Sequence, residues 1–451
     1  MSKSNAAAAE SAPDSRTDLS GAVWPALLKT LKHFFPDFDI WLQSTPDPRD
    51  PRLITYPIGY VLAGGLMLFL TKIGARRQMR YQFRTANMIG NLNFLCGTSC
   101  ESMLHPDTLA YLAARLPLDA LPDLLLAMTG RLLRARCFET SRLLDQWYRV
   151  AIDMTGHLAF RQRHCEHCLT QKHEEQTVYY HPVLEAKLVT RGGMSISIAS
   201  EFVENPRSGV SKQDCERAAF HRLVKRLKAN YPQLKICLLM DSLYACGPVF
   251  EVCKTHGWRF IISFKEGSAP AVFAEYERLK EALSHSHSRS QDGVSQTHAW
   301  VNGIDFSGHP VDVLECLESR PDKKPCRFVW VTNCPVDDRT YLDLSNGGGR
   351  VRWKIENEGF NIQKNNGYEL EHAYSENEHA LKNFYLLLQI AHLIAKLLEK
   401  GLLAKSMTPV IGAIRNVARL LLEDLRRLAL DLPRLQAQLA QPLQIRFQNS
   451  S

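Results

Sequence analysis

The sequence lacks a convincing membrane span. Its one apolar stretch of note, ITYPIGYVLAGGLMLFLTKIG at 54–74, is interrupted by Pro57 and Lys72, and its unbroken run is nearer to about 14 than to the roughly 20 residues a bilayer requires. We read it as a helix buried in protein, with a membrane span as the alternative, and expect no membrane partner. A secretory leader is also missing: the chain begins MSKSNAAAAESAPDSR, without the charged, apolar and small-residue succession of a signal peptide. The twelve cysteines are therefore expected as reduced cytoplasmic thiols rather than a disulfide framework. No internal repeat with a period of about 20–50 residues is visible, which excludes solenoids and propellers. A helix-turn-helix signature is absent too.

What is present is ample apolar material: 45% of the 451 residues are hydrophobic against 23% charged, enough for a sizeable core. The net charge of +8 is a mild basic excess that suits an anionic partner, of which nucleic acid is the commonest. Residues 1–20 are rich in Ala, Ser and Asp and are expected to be a disordered tail. From 21 to 144 the periodicity is helical throughout, with breaks at Pro117 and Pro122.

The character then changes. WYRVAIDMTG reads as a short strand ending in an acid, followed by strand candidates at 177–190 and 194–205 separated by Arg191, Gly192 and Gly193, a hairpin signal. A helix opened by Ser211 as N-cap comes next, then the strand KICLLMDSL, a helix at 247–256 and the strand RFIISFK. This order predicts an α/β mixed sheet flanked by helices. We expect 266–340 to be an irregular insertion with two strands, HPVDVLECLE and RFVWVTN, and the chain to end in long helices.

Asp153 and Asp241 each end an apolar run. Taken singly, such an acid is a turn residue or a helix N-cap. On adjacent parallel strands, two of them would lie close together, and like charges that close are costly unless a divalent cation sits between them. With a glutamate downstream on the segment RWKIENEGFN, the set suits an oxygen-ligand site for metal-dependent phosphoryl chemistry.

The stretches VAIDMTG, LMDSLYACGPVFEVCKTHGWRFIISFK and RWKIENEGFNIQKNNGYELEH resemble the DDE transposases of bacterial insertion sequences, over roughly residues 150–390. The resemblance implies a ribonuclease-H-like catalytic domain at 145–390, with a β-rich insertion at about 266–340 before the catalytic glutamate. It leaves a helical region at 21–144 that could bind DNA ends, and C-terminal helices at 391–451. It further implies Asp153, Asp241 and Glu356 as catalytic triad and ligands of two Mg²⁺ ions, with Mn²⁺ as a substitute. Arg352 and Lys364 would be phosphate contacts, DNA the partner, a homodimer the assembly and the nucleoid of a bacterial cytoplasm the location. The activity implied is cleavage at the ends of a mobile element and strand transfer. A metal-dependent nuclease or resolvase and a non-catalytic DNA-binding derivative are the rivals. This chain departs from the family pattern at Gly349, where a Tyr is usual, and at Gln363, where a Lys is usual and Lys364 follows one position late.

Geometry alone does not choose between Glu356 and Glu358. At about 100° per residue, Arg352 falls about 40° and Gln363 about 20° from Glu356, while Lys354 stands one turn before Glu358. The resemblance selects Glu356 and leaves Glu358 as a surface charge paired to Lys354. Two further motifs stand apart. Cys165 and Cys168 have zinc-ligand spacing, with His164, His167 and His173 nearby, but no second pair follows at a familiar distance. Arg76, Arg80 and Arg84 would form one basic stripe if 75–84 is a helix, suited either to phosphate contacts or to a solvated face.

Overall fold

The computed structural model describes residues 21–173, 176–283, 286–321, 323–403, 414–429 and 431–447, the last without 442 and 446; the expected disordered tail, 1–20, lies outside them. Seven helices come first: α1 (Val23–Phe34), α2 (Phe38–Gln43), α3 (Ile58–Leu70), α4 (Met79–Gln82), α5 (Ala86–Cys96), α6 (Pro106–Ala113) and α7 (Ala120–Arg134). Pro122 does not break the last of these. It sits in the first turn of α7, where a missing N–H costs nothing.

The sheet region follows as β1 (Tyr148–Phe160), β2 (Leu169–His173), β3 (Gln176–Val189), β4 (Ser195–Phe202), α8 (Glu216–Asn230), β5 (Ile236–Met240), α9 (Gly247–His256) and β6 (Arg259–Ser263). Then come α10 (Pro270–Leu283), β7 (Ser286–Gln291), β8 (Val294–Phe306), β9 (His309–Arg320), β10 (Lys323–Thr332), α11 (Tyr341–Asn346) and α12 (Asn361–Asn365). The described chain ends in α13 (Glu378–Leu398), α14 (Ile414–Arg427) and α15 (Leu432–Ala440).

All ten strands join one mixed sheet in the order β2-β3-β1-β5-β6-β10-β9-β8-β7, with β4 also on β3. Only the β1–β5 and β5–β6 pairs are parallel. The β3–β4 hairpin forms as its Gly-containing loop predicts, with Gly193 in the left-handed region at φ +82°. The helix after it starts at Glu216 behind Cys215, so Ser211 is not its N-cap.

Two further expectations are corrected. β1 is not a short strand ending at Asp153 but runs on to Phe160, because β3 continues to pair with it after β5 has ended. Residues 266–340 are not irregular: α10 and the antiparallel meander β7–β10 extend the main sheet from β6. β7 (SHSRSQ) is largely exposed on both faces and carries no hydrophobic period, so only its backbone pairing with β8 reveals it.

The apolar stretch at 54–74 is α3, and all 13 of its residues are buried. It packs on α13, α2 and α5, and α13 packs in turn on β4. One core cluster accordingly runs from the N-terminal helices across the sheet to α13, and the expected boundary at 390 falls inside that helix. Among the described residues, Glu378–Gly401 is the one helical span long and apolar enough to cross a membrane, and 89% of its apolar window is buried within the protein.

A second, smaller cluster lies on the face of Ala151, Leu239 and Ile261, capped by Val351, Ile355 and Phe360. Beside it runs a buried polar network. Glu185 on β3 accepts from Tyr385 (2.9 Å) and from Ser200, and it pairs with fully buried Lys187 at 3.5 Å. Lys187 donates to Gln389 (2.7 Å), which also bonds Gln363 (2.9 Å). Removing one partner of a buried ion pair strands the other charge, so Lys187→Met should lower the unfolding free energy by about 3–5 kcal/mol in urea titration. An unchanged midpoint would show that Tyr385 and Ser200 suffice for Glu185.

Candidate active site

Asp153 and Asp241 come from neighbouring parallel strands. β1 and β5 pair from Tyr148↔Ile236 to Ala151↔Leu239, and Asp153 and Asp241 each follow two residues after that last pair, so both leave the same end of the two strands. Strands so paired lie about 4.8 Å apart. Residues two apart on a strand face the same way, so both carboxylates share the face of Ala151 and Leu239. Asp241 is also a cap: its Oδ1 accepts the N–H of Leu243 at 2.9 Å and opens the 3₁₀ turn Ser242–Tyr244. The capping role left open by the sequence is thus realised, and it holds this carboxylate at the strand's end.

Glu356 reaches that face on a segment that is not the regular α-helix expected. A 3₁₀ turn, Gly349–Trp353, passes into a π-helical turn, Ile355–Phe360, in which the N–H of Asn361 bonds the carbonyl of Glu356 five residues back. Such turns are frequent at functional sites. The wider turn undoes the helical wheel: Gln363, expected beside Glu356, is instead buried against Gln389. Gly349 explains itself as well. A Cβ there would overlap the Trp330 indole on β10, so the ring fills the space and lets the backbone lie flush on the sheet.

Arg352 ties the acids together. Its Nη2 lies 2.9 Å from Glu356 Oε1 and its Nη1 3.6 Å from Asp153 Oδ2, with the side chain only 9% exposed. Its Nε is buried and has no hydrogen-bond partner. A fourth acid, Glu216, joins from the first turn of α8 and accepts from the Tyr244 hydroxyl at 2.8 Å. Sequence reasoning missed it, because an acid in a helix's first turn reads as an ordinary complement to the dipole.

Burial pushes the Asp153 carboxyl up to about 7; Arg352 opposes this, and the charges of Glu356 and Glu216 add to it. Glu216 is raised as well, by burial and by Asp241. Across the β1–β3 pairing Asp153 also faces Glu185. Five carboxylates therefore meet two cationic side chains, Arg352 and Lys187, an excess of three negative charges when all are ionised. In donor type that set fits hard divalent cations, which take carboxylate oxygens as ligands. A protein-derived cation large enough to offset it is not found around Asp153 among the described residues.

Glu358 is not the surface charge expected. It keeps its pairing to Lys354 at 3.5 Å, but its other oxygen lies 3.3 Å from Lys396, a buried lysine of α13. Burial works against its charge, yet Lys396 and Lys354 hold its carboxyl below the usual range. Glu358 therefore anchors the π-helical turn to α13. Lys364 turns to Glu371 at 2.7 Å. The stripe of Arg76, Arg80 and Arg84 is not realised, because α4 spans only four residues and ends before Arg84. Arg76 is taken up by Asp107 (2.6 Å) and the carbonyls of Pro106 and Tyr374, while Arg80 and Arg84 are exposed. Cys165 and Cys168 lie beyond the far end of β1, away from the carboxylates.

A carboxyl raised in the folded state opposes folding once ionised, so its unfavourable contribution grows as pH climbs from about 4 towards 7. Asp153→Asn should therefore raise the unfolding free energy of metal-free protein at pH 8, by about 1–3 kcal/mol at most, and have little effect at pH 4. Mg²⁺ should raise the Tm of the natural chain and leave that of Asp153→Asn nearly unchanged; equal responses in calorimetry would count against a metal at Asp153. Glu358→Ala should instead cost about 1–3 kcal/mol, because Lys396 is left with Glu399 alone. No protein-family model and no curated protein matches this chain.

Proposed function

We propose that this protein is a DDE-type DNA transposase, with Asp153, Asp241 and Glu356 as its catalytic acids. The observation that carries the reading is that the fold brings these three carboxylates, 203 positions apart at the extremes, onto one sheet face, with Arg352 joined to two of them. The strand order β4-β3-β1-β5-β6, antiparallel up to β1 and parallel from β1 to β6, supports a ribonuclease-H-like core. The meander β7–β10, standing between Asp241 and Glu356, supports the branch of these enzymes with a β-rich insertion.

Asp153, Asp241 and Glu356 would hold two Mg²⁺ ions, or Mn²⁺ in their place. Bound there, the metal supplies an activated water and a stabilised departing 3′ oxygen for phosphodiester cleavage, and the same chemistry serves the 3′-OH that joins target DNA. The chain's own residues do the rest. Arg352 holds Asp153 and Glu356 in register. Glu216 and Tyr244 add second-rank negative charge and a hydroxyl that orients it. Exposed Trp353, next to Arg352 in sequence, offers a face on which a base can stack. Arg80 and Arg84 are the remaining phosphate contacts of the N-terminal region, Lys364 a weaker one, and two element ends brought together call for a dimer.

The test is cleavage and joining of labelled element-end DNA with Mg²⁺. Asp153→Ala, Asp241→Ala and Glu356→Ala should each lower the rate by at least about 10³-fold, the scale of losing a metal ligand or an electrostatic contact made in the transition state. Cleavage without any joined product would make the protein a nuclease on this fold. DNA binding with no cleavage by the natural chain would make it a non-catalytic derivative.

A further inference from the structure

We propose a structural zinc site at the tip of the β1–β3 hairpin, formed by Cys165, Cys168, His181 and His164. It is independent of the transposase reading. The register makes it: Leu169 pairs with Tyr180 across β2–β3, so Cys168, one residue earlier, comes to His181, one residue later. From the other side β1 delivers Leu158 opposite His181, and the turn that follows brings back Cys165. His181 stands thirteen positions after Cys168 in the sequence, a zinc-finger-like interval that is legible only once that hairpin is known.

Three of the distances match the edges of a coordination polyhedron. Cys165 Sγ lies 3.7 Å from Cys168 Sγ, and the Nε2 of His181 lies 3.5 and 3.3 Å from the two sulfurs. A tetrahedral Zn²⁺, with Zn–S about 2.3 Å and Zn–N about 2.05 Å, demands edges of about 3.8 Å between sulfurs and about 3.6 Å from sulfur to nitrogen. A disulfide needs about 2.05 Å between sulfurs, so the two thiols are set for a shared ligand and not for each other. His164 supplies the fourth donor: one of its ring nitrogens falls within 4.8 Å of the ligand atoms of Cys165 and His181, and its Nδ1 is buried without a partner.

The surroundings also suit a metal. The ring nitrogen of His181 that faces away, Nδ1, lies 3.9 Å from Glu204, which Lys382 holds at 2.6 Å, so a carboxylate stands on the side of the imidazole opposite the sulfurs. Asn205 donates to the carbonyl of Cys168 at 2.9 Å, and Phe160 stacks on His164 with ring centroids 4.4 Å apart. Both cysteines and His181 are buried. Zinc here would staple the loop between β1 and β2 to β3, the strand that backs Asp153, at a point roughly 20 Å along β1 from that residue. Binding exchanges two thiol protons for the metal, with no redox step.

The test uses the full-length chain purified under reducing conditions, stripped with a chelator and offered equimolar ZnSO₄. About one zinc per chain by mass spectrometry is expected, together with a rise in Tm. Cys165→Ser, Cys168→Ser and His181→Ala should each weaken retention at least about tenfold, while Asp153→Asn keeps it. Co²⁺ in place of Zn²⁺ should give a near-ultraviolet thiolate charge-transfer band that Cys168→Ser loses, which separates a ligand from a residue needed only for folding. The proposal is overturned if the natural chain takes up no zinc, if zinc is lost with Asp153→Asn but not with the cysteine variants, or if Co²⁺ binds without that band.

Discussion

Mutual repulsion of acids is the constraint around which this structure is arranged. Asp153, Asp241, Glu356, Glu216 and Glu185 come from five separate segments, and each would be better solvated alone. The fold spends two buried cations on them: Arg352, which reaches Asp153 and Glu356, and Lys187, which reaches Glu185. These leave the cluster short of positive charge, and the Asp153 carboxyl is raised, by burial first and by the charges of Glu356 and Glu216 added to it.

Holding acids together against repulsion requires rigid surroundings, and the packing supplies them. The face that carries Asp153 and Asp241 is covered by the segment bearing Glu356, pressed onto the sheet where Gly349 meets Trp330. Glu358 locks the same segment to α13 through Lys396, and Gln363 locks it again through Gln389. The second glutamate of the pair is thus a fastening for the first. Since α13 also rests on α3 and β4, the N-terminal helices are part of the scaffold that fixes the site.

Local signals carried much of the architecture. The β3–β4 hairpin was legible from a Gly-containing loop between β-rich runs, and the buried helix α3 from its length and composition. Elements whose stability comes from neighbours were not. β7 has no apolar period because its partner strand alone holds it, and the extension of β1 past Asp153 depends on β3. The basic stripe failed for a related reason: Asp107 and two carbonyls from distant segments claim Arg76 before any ligand can.

By itself the sequence determined which residue types could do chemistry: two acids closing apolar runs, a basic residue one turn before each of two glutamates, and a pair of cysteines at metal spacing. The tertiary structure decided which of them meet. Strand register brought Asp153 and Asp241 to the same end of neighbouring strands and His181 beside Cys168, and a π-helical turn aimed Glu356 at Arg352 while Glu358 went to α13. The reason is physical. Charge and donor type belong to a residue, but whether two side chains come within a few ångströms depends on hydrogen-bond registers and turn geometry set by partners far away in the chain.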